Sequence, residues 1–151
     1  MTSSNRNSGP GHHTRAVVVK VDDSGPQQLV EMTGLAGQDF GETVRSQHFG
    51  LTSNPPPGSE GVGLHLGGGA DRVHALGMEH PKYRPTNLPS GATRLYDMDG
   101  NHVDIRNGVL TASHAKQIVL KVGSSTITMT TDTITIAATN IKINGNVDIN
   151  G

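Results

Sequence analysis

From residue 118 onward the sequence is almost nothing but short alternating runs, IVLKV, TITMT, TITIA, IKI and VDI, parted by GSS, TD, ATN and NGN. Each run sets aliphatic residues at alternate positions with Thr, Lys or Asp between them, the period-2 pattern of a strand with one dry and one wet face. The dry set is Ile118, Leu120, Val122, Ile127, Met129, Ile134, Ile136, Ile141, Ile143, Val147 and Ile149. From Ile127 the runs recur six or seven residues apart. Sandwich strands recur every ~8–12 residues, and so short a repeat leaves no room for a helix. A stack of short strands climbing one axis remains.

One chain cannot hold such a stack. Each strand offers about two large aliphatics, worth ~1.5–3 kcal/mol apiece when fully buried, whereas ordering the backbone costs ~1–2 kcal/mol for every residue of the repeat. A single-chain parallel β-helix would need longer coils to enclose a core. Three identical chains, each giving one face of a triangular prism, would put about six aliphatics in every layer and pair every strand edge. The sequence therefore predicts an intertwined triple-stranded β-helix, a β-prism, in a homotrimer, with the dry set as its shared core. An amyloid-like or single-chain solenoid is the competing reading. Outward Thr keeps the prism soluble, and Asn140, Asn144, Asn146 and Asn150 with Gly145 and Gly151 punctuate the runs where turns need left-handed backbone.

Composition supports an assembly without a large core of its own. The 151 residues include 20 Gly, 8 Pro, no Cys, no Trp and only four aromatic side chains, two Tyr and two Phe. Lack of Cys removes disulfides and thiolate chemistry. A net charge of −1 with interspersed signs, and so few aromatics, argue against nucleic acid as a partner. No apolar run approaches the ~18–20 residues of a membrane span, and MTSSNRNSGPGHHTR has no apolar signal region, so synthesis in the cytoplasm without a signal peptide is expected.

Ahead of the ladder the pattern divides the chain. Residues 1–13 are Ser, Asn, Gly and His rich and are expected to be a flexible arm. Residues 14–80 carry five strand-like runs, AVVVKVDD, QQLVEMT, ETVRSQHFG, GVGLHL and RVHALGME, broken by the proline loop LTSNPPPGSEG and the turn GGGAD. Five strands in that length fit an OB-fold-like β-barrel, with an SH3-like barrel as the alternative. Residues 81–93 form an extended linker, and 94–151 the trimeric β-helix, opening with RLYDMDGNHVDI as a hairpin closed by Asp-Gly.

The order and spacing of AVVVKVDDSG, FGLTSNPPPGSE, the Gly-rich turn, KYRPTNLPSG, LYDMDGN and the Ile/Thr ladder resemble the phage Mu-type baseplate spike family, also called phage baseplate assembly protein V, over roughly residues 15–151. The resemblance implies a homotrimeric central spike of a contractile tail, with an N-terminal OB-fold and a C-terminal intertwined β-helix. It implies the baseplate hub as partner, a separate tip protein as a further one, the host outer membrane as the surface penetrated, and the virion tail baseplate as location. Spikes of this family often end in an apex where a His-x-His motif from each chain holds iron. No His follows His114 here, so that tip site is not expected, and no cofactor is. The apex is then closed by another protein, is shorter, or lies beyond a chain that is a piece of a longer one.

Other motifs carry less. His65 and His74, on strands joined by GGGAD, could face one another outside the barrel, and His12 and His13 are adjacent, but none has the Cys or carboxylate support of a zinc site. Gly67, Gly68 and Gly69 lack the Lys-Ser/Thr and helix of a phosphate loop. Asp97, Asp99 and Asn101 begin like a calcium loop but lack its Gly and its bidentate Glu. A peptidoglycan hydrolase would need two carboxylates at a set separation. Glu31, Glu42, Glu60 and Glu79 are scattered over separate elements, so no enzyme is expected. A trimeric receptor- or polysaccharide-binding tail fibre is the alternative function; such a fibre would be expected to show exposed Trp or Tyr platforms and a head domain.

Overall fold

The computed structural model describes residues 13–66 and 72–149. The expected arm up to His12, the GGGAD turn, Asn150 and Gly151 lie outside the described residues. Among those described the chain is all-β, its one helical segment being a 3-10 turn at Leu35–Gly37. It divides into two compact units, Met1–Arg84 and Pro85–Gly151.

The first unit is a closed barrel of five strands, β1 (His13–Asp22), β2 (Leu29–Thr33), β3 (Asp39–Arg45), β4 (Glu60–His65) and β5 (Val73–Glu79), ordered β1-β2-β3-β5-β4. β1 closes the ring on β4 with His13 opposite Leu64. The β3–β5 pair is parallel, Val44 opposite His74, so the connection is a crossover and not a meander. Alternation fills the interior. Ala16 and Val18 of β1, Val30 and Met32 of β2, and Val73, Ala75 and Met78 of β5 form the core, with Val21 and Phe40 packed against it. Val18, Val30 and Met32 are essentially inaccessible and stabilise by roughly 1.5–3 kcal/mol each.

Tight closure needs bends, and β-bulges supply them. On β5, Gly77 and Met78 both take left-handed backbone (φ 80° and 65°) where the register jumps between Leu76 and Glu79. Gly61 of β4 faces that bulge so closely that a Cβ there would lie 2.4 Å from Leu76 O and 2.7 Å from Met78 N. No other residue fits. A second bulge on β3 holds Glu42 at φ 44°.

The proline segment 46–59 contains no strand, in keeping with its composition, and it is pinned to the barrel. Arg45 Nη1 donates to Gln28 Oε1 (2.8 Å) and Ser53 O (2.7 Å), and Nη2 to Ser53 Oγ (3.0 Å). Gln28 Nε2, itself buried, donates to Asp23 Oδ1 (2.8 Å) and Ser53 O (3.0 Å). Burial holds the Arg45 guanidinium below its usual pKa, opposed by the charge of Asp23. At the far end Gly58 N donates to Val18 O and Val18 N to Ser59 O, both 2.8 Å. The connector after β5 starts as a turn and not as extended chain, because Tyr83 N and Arg84 N both donate to His80 O.

The second unit holds two three-stranded antiparallel sheets. One is β6 (Thr93–Tyr96), β7 (His102–Arg106) and β8 (Val109–Ser113); the other is β9 (Gln117–Val122), β10 (Ser125–Thr130) and β11 (Ile134–Ala137). The Asp-Gly hairpin forms as expected: Asp97 Oδ1 accepts from Asp99 N and Asn101 N at 2.9 Å each, and Thr93–Tyr96 pairs with His102–Ile105. The runs IKI and VDI, expected as strands, are not strands: residues 138–149 carry none. Three-residue runs separated by Asn and Gly have no partner within their own chain, and an unpaired strand does not persist. Nor do Asn140, Asn144 and Asn146 take left-handed backbone; Gly145 does (φ 128°), and the left-handed asparagines are Asn87 and Asn107.

Candidate functional site

Register sorts the residues of β9–β11 by face. Ile127 lies opposite Leu120 on one side and Ile136 on the other, and Met129 lies opposite Ile118 and Ile134. With Val122 these make one continuous aliphatic face of seven residues from the expected core set. The reverse face carries Thr126, Thr128, Thr130 and Thr135, with Val119 and Lys121. Ile141, Ile143, Val147 and Ile149 follow β11 outside any strand. The aliphatic face is open to solvent in the single chain, Ile127 at 38%, Ile134 at 72% and Val122 at 83% exposed. Leu120, Val122, Ile127 and Ile136 line a shallow groove on it. Among the described residues the buried core lies wholly in the barrel, so nothing in the single chain covers this aliphatic surface.

A second aliphatic face escapes a reading that begins at residue 118. In the sheet β6–β8, Leu95 lies opposite Val103, Val103 opposite Ala112, and Ile105 opposite Leu110. Leu95, Val103, Ile105 and Leu110 are all exposed. The signal was present in RNGVLTAS. Asn107 and Gly108, with φ of 51° and 77°, form the two-residue turn that Asn-Gly specifies, and Val109–Ser113 is the returning strand.

The reverse of that sheet is ionic. Asp104, buried, is held by Arg94 opposite it and by Arg106 Nε at 3.2 Å. The hydrogen bond from Arg94, then the charges of Arg106, Arg94 and His102, keep its carboxyl below the usual carboxylate range against the cost of burial. The two faces of β6–β8 are thus opposite in character, one apolar and one charged.

The remaining candidates resolve as structure. His65 and His74 do not face one another: His65 lies opposite Val73 and His74 opposite Leu64, an offset of one residue that puts them on opposite faces. His65 stacks edge-on against Phe40, centroids 5.7 Å apart, and His74 Nδ1 meets Ser46 Oγ at 3.0 Å. His13 opens β1, and His12 lies outside the described residues. Glu60 and Glu79, scattered in sequence, are cross-strand neighbours. Each is engaged by a different arginine, Glu60 by Arg15 and Glu79 by Arg84 Nε at 2.8 Å. Glu31 pairs with Lys20 at 3.4 Å. Among the described residues no three His, Asp or Glu side chains converge as a metal site.

Residues 15–82 match the family model for Bacteriophage Mu Gp45, N-terminal, which is the barrel. The baseplate puncturing device gp45 of Escherichia phage Mu is 33% identical over 89 residues, 59% of this chain and 45% of that protein. The Mu-like prophage FluMu protein gp45 of Haemophilus influenzae (strain ATCC 51907 / DSM 11121 / KW20 / Rd) is 27% identical over 138 residues, 91% of this chain and 74% of that protein. The first alignment therefore spans less than half the length of the phage Mu relative. The chain is thus similar to the Bacteriophage Mu Gp45 family over its barrel, and to the two gp45 relatives over 59% and 91% of its length.

Proposed function

We propose that the chain is the central spike of a contractile tail baseplate, in a phage or phage-like particle, acting as a non-enzymatic homotrimer. The carrying observation is the aliphatic face of β9–β11, seven aligned residues of which five are exposed and two, Ile118 and Met129, half-buried in one chain, backed by threonines. Three copies turning that face to a common axis dry it, and neighbouring chains supply partners for the edges of β9 and β11 and for the runs 141–143 and 147–149. The prism then spans residues 94–151, joined by 81–93 to the barrel of 14–80. The barrel is OB type on this reading, supported by its order and its parallel closing pair.

Function follows from stiffness. Contraction of the sheath drives the tube forward, and a narrow close-packed rod, poorly compressible, delivers that force to a small area of the host outer membrane without buckling. The barrels dock on the baseplate hub, and no cofactor is needed. The name of the phage Mu relative, a baseplate puncturing device, supports this use. Light scattering on the purified chain tests it: three times the 15.8 kDa chain mass is expected. A monomer at micromolar concentration would overturn the proposal.

A further inference from the structure

The loop 46–59 leaves β3 beside β5, where Ser46 N donates to Ala75 O at 3.1 Å, and ends against β1, where Gly58 N donates to Val18 O. Between those ends Arg45 and Gln28 clamp Ser53, and Ser53 N donates to Gln47 Oε1 at 2.9 Å, so its shape is fixed. Near its start stands Phe49, fully exposed although the chain has only two Phe and no Trp. Near its end Val19, Lys20, Val21 and Pro55 to Pro57 line a concavity of about 330 Å3. A rigidly presented aromatic is the usual anchor of a protein interface, burying ~150–250 Å2 at little entropic cost.

We propose that Phe49 of one copy seats in the Val19–Pro56 concavity of the next, linking the barrels head to tail in a closed ring. The inference rests on the trimer reading above and adds where the barrels touch. Anchor and socket lie at opposite ends of one clamped loop, toward β5 and β1 respectively, and two different patches on each copy are what a heterologous ring contact requires. The socket also complements the ring in charge, because Lys20 in its wall bonds Glu31 through one ammonium hydrogen at 3.4 Å and keeps two for the negative face of an aromatic. Area decides why the occupant is a tethered copy. A free-standing interface needs roughly 800 Å2 per partner, several times what one Phe supplies. Such a contact forms only between barrels already held close, as chains sharing one prism would be.

The chain has no cysteine, so introduced thiols are the only ones present. Tagged full-length chain carrying Phe49→Cys is co-expressed with untagged chain carrying Val19→Cys and treated with a short bis-maleimide. A second sample replaces Val19→Cys by Leu35→Cys, equally exposed but away from the socket. The expected result is a tagged–untagged dimer at least fivefold above the Leu35→Cys sample. A trimeric mass with no excess over that sample overturns the ring contact and assigns Phe49 to another baseplate protein. A monomeric mass overturns the trimer reading itself, and the ring with it.

Discussion

Replacing Ile134 by Thr tests the shared core at the position where the single chain says most. Ile134 is 72% exposed, on the aliphatic face and opposite Met129. Fully burying an isoleucine is worth ~1.5–3 kcal/mol, so the part still wet here corresponds to roughly 1–2 kcal/mol per chain once the face is covered. Three copies change together, giving about 3–6 kcal/mol per trimer, before any cost of burying three hydroxyls. Thr keeps the β-branch and the strand preference, so local structure is spared. Thr135→Val is the matched control, one residue along on the threonine face, where a substitution shifts stability by no more than ~0.5 kcal/mol. Denaturant-induced dissociation of the full chain, followed by light scattering, measures both. The expected outcome is a large shift of the midpoint for Ile134→Thr and almost none for Thr135→Val. Equal shifts, or a larger one for Thr135→Val, would refute the assignment of the inward face.

Ile143→Asp places three like charges in one layer of the prism and is expected to abolish trimers; recovery of a stable trimer by light scattering would show that residues 141–143 lie outside the core. Gly61→Ala drives a methyl into the backbone of β5 and should cost the barrel at least ~3 kcal/mol, whereas Gly63→Ala meets side-chain methyls alone, those of Thr14 and Val73 at 3.2 Å and Met32 at 3.9 Å, and should cost about 1 kcal/mol; hydrogen exchange of the Val18 and Val30 amides in the full chain ranks them. Arg45→Ala removes two of the bonds that hold Ser53, leaving those with Gln28 and Gln47, and is expected to open the segment 46–57 to limited proteolysis faster than in the parent chain. Asp104 has its carboxyl pKa lowered by Arg94, so its stabilising effect is present above its ordinary value of 3.8 and is lost as pH falls through its lower folded value. Amide protection in β6–β8 should therefore fall as the solution is acidified below 3.8, and Asp104→Asn should flatten that dependence.

Barrel strands β1, β2 and β5 are legible because each run matches one period and carries buried aliphatics, whereas β3 and β4 bury none. Val18, Val30 and Met32 announce themselves by alternation. The parallel β3–β5 closure did not, since nothing in ETVR or RVHAL says which strand a crossover will reach. Seven of the ladder aliphatics fall on one face because a period of two leaves them no alternative. Ile141 to Ile149 show the limit of the same logic: alternation says which side a residue would take, not whether a three-residue run has a partner to pair with. Leu95, Val103, Ile105 and Leu110 obey the same alternation, but their runs are broken by Asp-Gly and Asn-Gly turns and show no repeat as regular as the one after residue 118. Glu60 and Glu79 became neighbours only through the register of β4 on β5, which a bulge at Gly77 sets.

The two sheets of the second unit pair each strand with its neighbour in sequence, Asn107 and Gly108 alone joining β7 to β8. Closures so local form in about 1–10 μs, whereas the barrel must wait for His13 to meet Leu64. If the proposed trimer holds, a newly made chain shows its sticky side early, and how fast it finds two siblings, more than how fast it folds, decides between spike and precipitate. Yield should depend on expression rate accordingly.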